Sequence, residues 1–98
     1  MRHYQVTLTT AGTVYELRTL VKALDPSFRD GCKQLIIQMD DGNSAPVFLG
    51  GPTVSSSNYG TKLTSPDEFL NLNYEAAQVG GIYAVSTGNS QLLNLALY

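Results

Sequence analysis

Turn-forming residues break this sequence about every ten residues, and most of the stretches between them alternate apolar with polar side chains. Ala11-Gly12, Asp25-Pro26, Gly50-Gly51-Pro52 and Gly80-Gly81 are such breaks. That rhythm predicts an all-β chain of about seven or eight short, mostly antiparallel strands, arranged as a small sandwich or barrel with room for one short helix. The first strand is His3 to Thr10, where Tyr4, Val6 and Leu8 alternate with Gln5, Thr7 and Thr9. Lys33 to Met39 and Ala45 to Leu49 are the next clear strands. Asp40-Asp41-Gly42-Asn43-Ser44 between them reads as a tight hairpin turn, because Asp-Gly supplies positive φ. Pro46 lacks an N–H and belongs at a strand start or an edge.

Thr13 to Leu24 fits two patterns. Val14, Leu17, Val21 and Leu24 have helical spacing, and Thr13 with Glu16 resembles a capping box. Tyr15, Leu17 and Thr19 alternate as in a strand. The favoured reading is a strand over Val14 to Thr19 followed by irregular chain with one helical turn. A helix is the alternative, and Asp25-Pro26 stops either element.

Val54 to Ser57 is a short strand or an extended loop, and Lys62-Leu63-Thr64 is extended. Ser65-Pro66-Asp67-Glu68 has the order of a helix start, but Leu70, Leu72 and Tyr74 soon alternate as a strand. Ile82 to Ser86 and Gln91 to Tyr98 close the chain, joined by Thr87-Gly88-Asn89-Ser90 as a hairpin loop. Leu93, Leu95 and Leu97 share one face of the last strand and are expected in the core.

The 98 residues suit one domain over 1–98. Hydrophobic residues make up 43%, enough for a core without metals or disulfides, and Cys32 is the single cysteine. Only 14% of residues are charged, below the roughly 25% of an average domain. Ser, Thr, Asn, Gln and Gly replace them, as is usual in β domains that pack against other proteins. The six basic residues are scattered in a chain of net charge −2, so neither nucleic acid nor a membrane surface is an expected partner. No apolar run reaches membrane-spanning length, and Met1 to Gln5 lacks the apolar region of a signal peptide. One cysteine fits a protein made in a reducing cytoplasm.

The order of features from Leu35 to Tyr98, preceded by an early strand and the Thr10-Ala11-Gly12-Thr13 turn, resembles a family of small bacteriophage and prophage virion proteins. The resemblance rests on Val47-Phe48-Leu49-Gly50, on the loop Thr53-Val54-Ser55-Ser56-Ser57-Asn58-Tyr59-Gly60 followed by Leu63, and on the closing strands Ile82 to Val85 and Leu92 to Tyr98. Ser65-Pro66-Asp67-Glu68-Phe69 stands where such proteins usually carry Pro-Gly-Glu-Ser, and Lys22 to Cys32 is longer than usual. The resemblance implies a non-enzymatic virion component assembled in the host cytoplasm. It would be a capsid decoration or cement protein that bridges major capsid subunits, often as a trimer. A head-completion, neck, tail or fibre-base component is the alternative. A small ligand- or glycan-binding module is a third, and would need an exposed aromatic beside polar groups.

No residue pattern points to catalysis, a cofactor or a metal. His3, the only histidine, reads as exposed and without a catalytic partner. Cys32 reads as a buried or half-buried structural thiol. Asp40, Asp41, Asn43 and Ser44 lack EF-hand spacing. Gly50-Gly51-Pro52 has no following Gly-Lys-Ser/Thr of a phosphate loop. Asp67 and Glu68 are adjacent, so on a strand they would point to opposite faces. The candidate partner-binding residues are Val54, Ser55, Ser56, Ser57, Asn58 and Tyr59, in a loop expected to project with Tyr59 as its anchor. Tyr59 and Tyr98 are the tyrosines expected at the surface.

Overall fold

The computed structural model describes residues 1–73 and 78–98. Those residues form eight strands and one helix: β1 (Arg2–Leu8), β2 (Tyr15–Glu16), α1 (Leu17–Leu24), β3 (Gln34–Met39), β4 (Val47–Gly50), β5 (Thr61–Leu63), β6 (Phe69–Asn73), β7 (Tyr83–Ser86) and β8 (Gln91–Leu97). They make two four-stranded antiparallel sheets, β1-β8-β3-β6 and β2-β7-β4-β5. The sheets do not close on each other, so the fold is a small β-sandwich rather than a barrel.

The alternation read from the sequence sets which face is buried. Val6 and Leu8 of β1, Leu93, Leu95 and Leu97 of β8, and Leu35, Ile37 and Met39 of β3 point inward from the first sheet. Val47, Leu49, Leu63 and Ala84 meet them from the second. Each fully buried aliphatic side chain contributes about 1.5–3 kcal/mol relative to exposure. β8 lies between β1 and β3, so the last strand is central to its sheet.

Thr13 to Leu24 departs from the favoured reading. The strand there is only Tyr15–Glu16, and a two-turn helix follows. Pairing with β7 stops as the Leu17 N–H donates to the Ile82 carbonyl, 3.0 Å away. From there Leu17, Leu20 and Val21 pack one helical stripe onto the core, which outweighs the local alternation. Thr13 and Glu16 form no capping box, since the helix starts one residue after Glu16. The Glu16 carboxylate instead accepts from the Thr19 hydroxyl at 2.9 Å. Asp25 ends the helix with φ −137° and ψ 91°, the extended conformation a following proline imposes.

Two expected hairpins are not hairpins. β3 and β4 lie in different sheets, as do β7 and β8, so both turns are arches across the sandwich. Among the described residues, only β4 and β5 are consecutive strands paired within one sheet. Side chains close the end where the two arches meet. Asn43 bonds Leu92 twice, Nδ2 donating to its carbonyl and Oδ1 accepting from its N–H, both at 2.8 Å. The buried Gln91 accepts from the N–H groups of Ser44 and Ala45 and donates to the Asn89 carbonyl. The Ser86 hydroxyl donates to the Pro46 carbonyl at 2.7 Å.

Ser65-Pro66-Asp67-Glu68 is a turn, not a helix start. The Ser65 hydroxyl and carbonyl accept from Asp67 and Glu68, and β6 begins at Phe69. The expected strand residue Tyr74 lies outside the described residues. Asp30 ties a long loop to the core by accepting from the N–H groups of Val79 and Gly80 at 2.7 and 2.9 Å. No helix among the described residues is long and apolar enough to cross a membrane.

Candidate functional site

Val47-Phe48-Leu49 does not alternate, and the fold explains why. All three are buried, because β4 is covered on both faces. Val47 and Leu49 face the sandwich core. Phe48 points outward with Val85 of the adjacent β7, and the chain after β4 folds back to cover them. Gly50 allows this approach: a Cβ there would stand 3.2 Å from Val54 Cγ2. Gly51 accepts from the Val54 N–H at 3.0 Å, which turns Val54 down onto Phe48 and Val85.

The rest of the loop is built from its own hydrogen bonds. Ser55 and Asn58 pair through both backbone groups, at 2.8 and 3.2 Å. The Ser55 hydroxyl accepts from the N–H groups of Ser57 and Asn58. Asn58 Nδ2 donates to the Thr53 carbonyl at 3.4 Å. The Gly60 N–H donates to the Leu49 carbonyl at 2.8 Å and starts β5. Tyr59 lies with its ring centroid 5.0 Å from that of Phe48, at an interplanar angle of 52°. Lys62 Nζ stands 5.6 Å from the Phe48 centroid. Next to the loop is a shallow depression of about 220 Å³, with Phe48 and Val85 among its lining residues and Ser55, Ser56 and Thr87 beside them.

The predicted site residues therefore divide. Val54 is 4% exposed and is a packing residue, not a contact offered to a partner. Val54 packs on Phe48 and Val85 and so holds the start of the loop on its own sheet, while Ser56 to Gly60 stay exposed. Ser55 and Ser56 line the depression, while Ser57, Asn58 and Tyr59 are exposed. Tyr59 is 46% exposed and Tyr98 53%. Sequence reading missed Phe48, Val85, Gly12 and Thr87 as parts of this surface. The unbroken apolar run at β4 was the available signal for a strand covered on both sides.

The other residues considered for chemistry are spread over the molecule. His3 is exposed on β1. Cys32 is half-buried against the core, and burial pushes its thiol pKa up, with Asp30 adding to the rise and Arg2 opposing it. Asp40 accepts from Gln5, Asn94 and the Gly42 N–H, so its carboxylate organises a turn. The Glu68 carboxylate accepts from the N–H and hydroxyl of Thr64. Among the described residues, no three His, Cys, Asp or Glu side chains are grouped to hold a metal. Arg2 is spent on the carbonyls of Arg29 and Gly31 and on the Phe28 ring. The nearby Glu16 carboxylate raises the pKa of Tyr83, while Thr10, first through its side chain and then through the N–H it donates to the Tyr15 oxygen, lowers that of Tyr15. Comparison with protein-family models, with curated proteins and with solved structures finds no match to this chain.

Proposed function

We propose that this chain is a non-enzymatic accessory structural protein of a phage virion, of the capsid-decoration or cement type, and that it acts by adhesion. The resemblance of its turn and strand order to small virion proteins supplies the virion assignment. One geometric observation supports the adhesive surface: Tyr59 is exposed yet held on Phe48, close to the depression lined by Ser55 and Ser56. A rigid aromatic anchor beside adaptable hydroxyls loses little entropy on docking.

The partner is the major capsid protein. The outer face of the β2-β7-β4-β5 sheet docks across neighbouring subunits, and self-association into a trimer places three such faces around a shell symmetry axis. Binding the assembled form in preference to its parts stabilises the shell by about 2.7 kcal/mol at a hundredfold excess over Kd.

Quantitative mass spectrometry of gradient-purified particles tests the proposal. A copy number comparable to that of the shell subunits is the expected result. A handful per particle would move the chain to the neck, tail or fibre base, and its absence from particles would end the virion assignment.

A further inference from the structure

The outer face of the β1-β8-β3-β6 sheet, on the opposite side of the sandwich, carries no Asp, Glu, Lys or Arg at any outward position of its four strands. Solvated sheet faces usually carry such charges. Here the outward row across the strands reads Gln5, Asn94, Gln38, Phe69, and the next reads His3, Ala96, Ile36, Asn71. An open depression of about 190 Å³ lies between these rows, with Gln5, Gln38 and Asn94 as its amides and Ala96 and Ile36 as apolar floor.

The amides are fixed in place. Gln5 Nε2 donates to Asn94 Oδ1 at 3.0 Å and to Asp40 Oδ1 at 3.3 Å, and Asn94 Nδ2 donates to the same Asp40 oxygen at 3.2 Å. Gln38 Nε2 donates to the Pro66 carbonyl at 2.6 Å. Both glutamines thus spend their nitrogens inside the protein, and among the described residues neither Oε1 has a partner. Two oriented acceptors stand two strands apart, about 10 Å. Phe69, 55% exposed, extends the row by one more strand.

We propose that this face binds a neutral glycan chain laid across the strands. Sugar hydroxyls donate to the Oε1 atoms of Gln5 and Gln38. The C–H faces of the rings rest on Ala96, Ile36 and the Phe69 ring. An anionic ligand finds no cation at these outward positions and meets the Asp40 carboxylate, which the Gln5 and Asn94 amides already engage, and an apolar protein surface would leave the two acceptors desolvated and unpaired. A polyol satisfies both the acceptors and the apolar floor, and the fixed amides lower the cost of ordering the site. The proposal is independent of virion docking, which uses the other sheet.

The test is NMR titration of the isotope-labelled full chain with maltohexaose, cellohexaose, chitohexaose and mannohexaose, with a hyaluronate hexasaccharide as the charged control. At least one neutral oligosaccharide should give saturable shifts, with Kd of about 1 mM or tighter. The shifts should cluster at the outward positions of β1, β8, β3 and β6 and at the side-chain amides of Gln5, Gln38 and Asn94. Gln38→Ala and Phe69→Ala, each checked for a native spectrum, should weaken binding at least about fivefold. Four results would overturn the proposal: no shifts with any neutral oligosaccharide at about 10 mM, shifts mapping to another surface, unchanged affinity in both variants, or a preference for hyaluronate. Concentration-dependent shifts of the same residues without sugar would make the face a contact between copies and would also overturn it.

Discussion

Gln91 is 4% exposed, yet its amide is fully used, accepting from two N–H groups of one arch and donating to the other arch and to the Ser44 hydroxyl. Gln91→Ala leaves the Ser44 and Ala45 donors unpaired and opens a void. It should cost about 2–4 kcal/mol, read from urea denaturation, while Asn73→Ala on the exposed edge should cost less than about 0.5 kcal/mol. Asp25 gives a pH signature. The Ser27 hydroxyl, then the Tyr4 phenol, hold its carboxyl below the usual aspartate pKa, so the folded state releases that proton more readily than the unfolded chain. Its contribution to stability is therefore present above the ordinary aspartate range and lost as pH falls through the lowered value. Tyr4 is shifted upward, chiefly by donating to Asp25, so its contribution is lost only as pH rises through the raised value. Asp25→Asn should flatten the acid limb of stability against pH, measured between about pH 2 and 5. An unchanged limb would contradict the assignment. Tyr59→Ala removes an exposed ring, so it should leave the fold intact and weaken docking to the shell by about 1 kcal/mol or more in co-sedimentation. Equal occupancy of wild type and variant would remove Tyr59 from the interface.

The elements were legible where alternation was strong, and their partners were not. β1, β3, β7 and β8 lie within a residue or two of their expected bounds, because period-two burial leaves its mark on local sequence. Asp40 to Ser44 and Thr87 to Ser90 carry hairpin residues, yet both are arches. Turn chemistry fixes how sharply the chain reverses but not which sheet it enters. That choice depends on long-range bonds such as Asn43 to Leu92 and Gln91 to Ser44, which no local pattern encodes. The same limit hid the surface around Tyr59: the polar loop was visible, but its descent onto Phe48 depends on Val54, which local composition made a loop residue. The central place of β8 gives the element-scale prediction. Leu95→Ala should cost about 2–5 kcal/mol, and removing Leu92 to Tyr98 should abolish the cooperative thermal transition seen by circular dichroism. A truncated chain that still melts cooperatively would show that β8 is dispensable.

At the scale of the whole molecule, the sandwich offers two outer faces of different chemistry. One carries Phe48, Val85 and the self-bonded loop with its anchored tyrosine; the other is an amide face with no charged side chain at the outward positions of its strands, the Asp40 carboxylate bonded to its Gln5 and Asn94 amides, and Phe69 exposed at its edge strand. A decoration protein needs one surface for the shell and leaves the opposite surface toward solvent, an arrangement this division suits. The most direct measurement is a cryo-EM reconstruction of the intact particle at side-chain resolution. The account predicts a sandwich-sized density on the shell, with the Tyr59 loop and the Phe48 face against capsid subunits and the β1-β8-β3-β6 face turned outward. A shell without that density, or one that contacts the chain through Gln5, Gln38 and Asn94 instead, would contradict it.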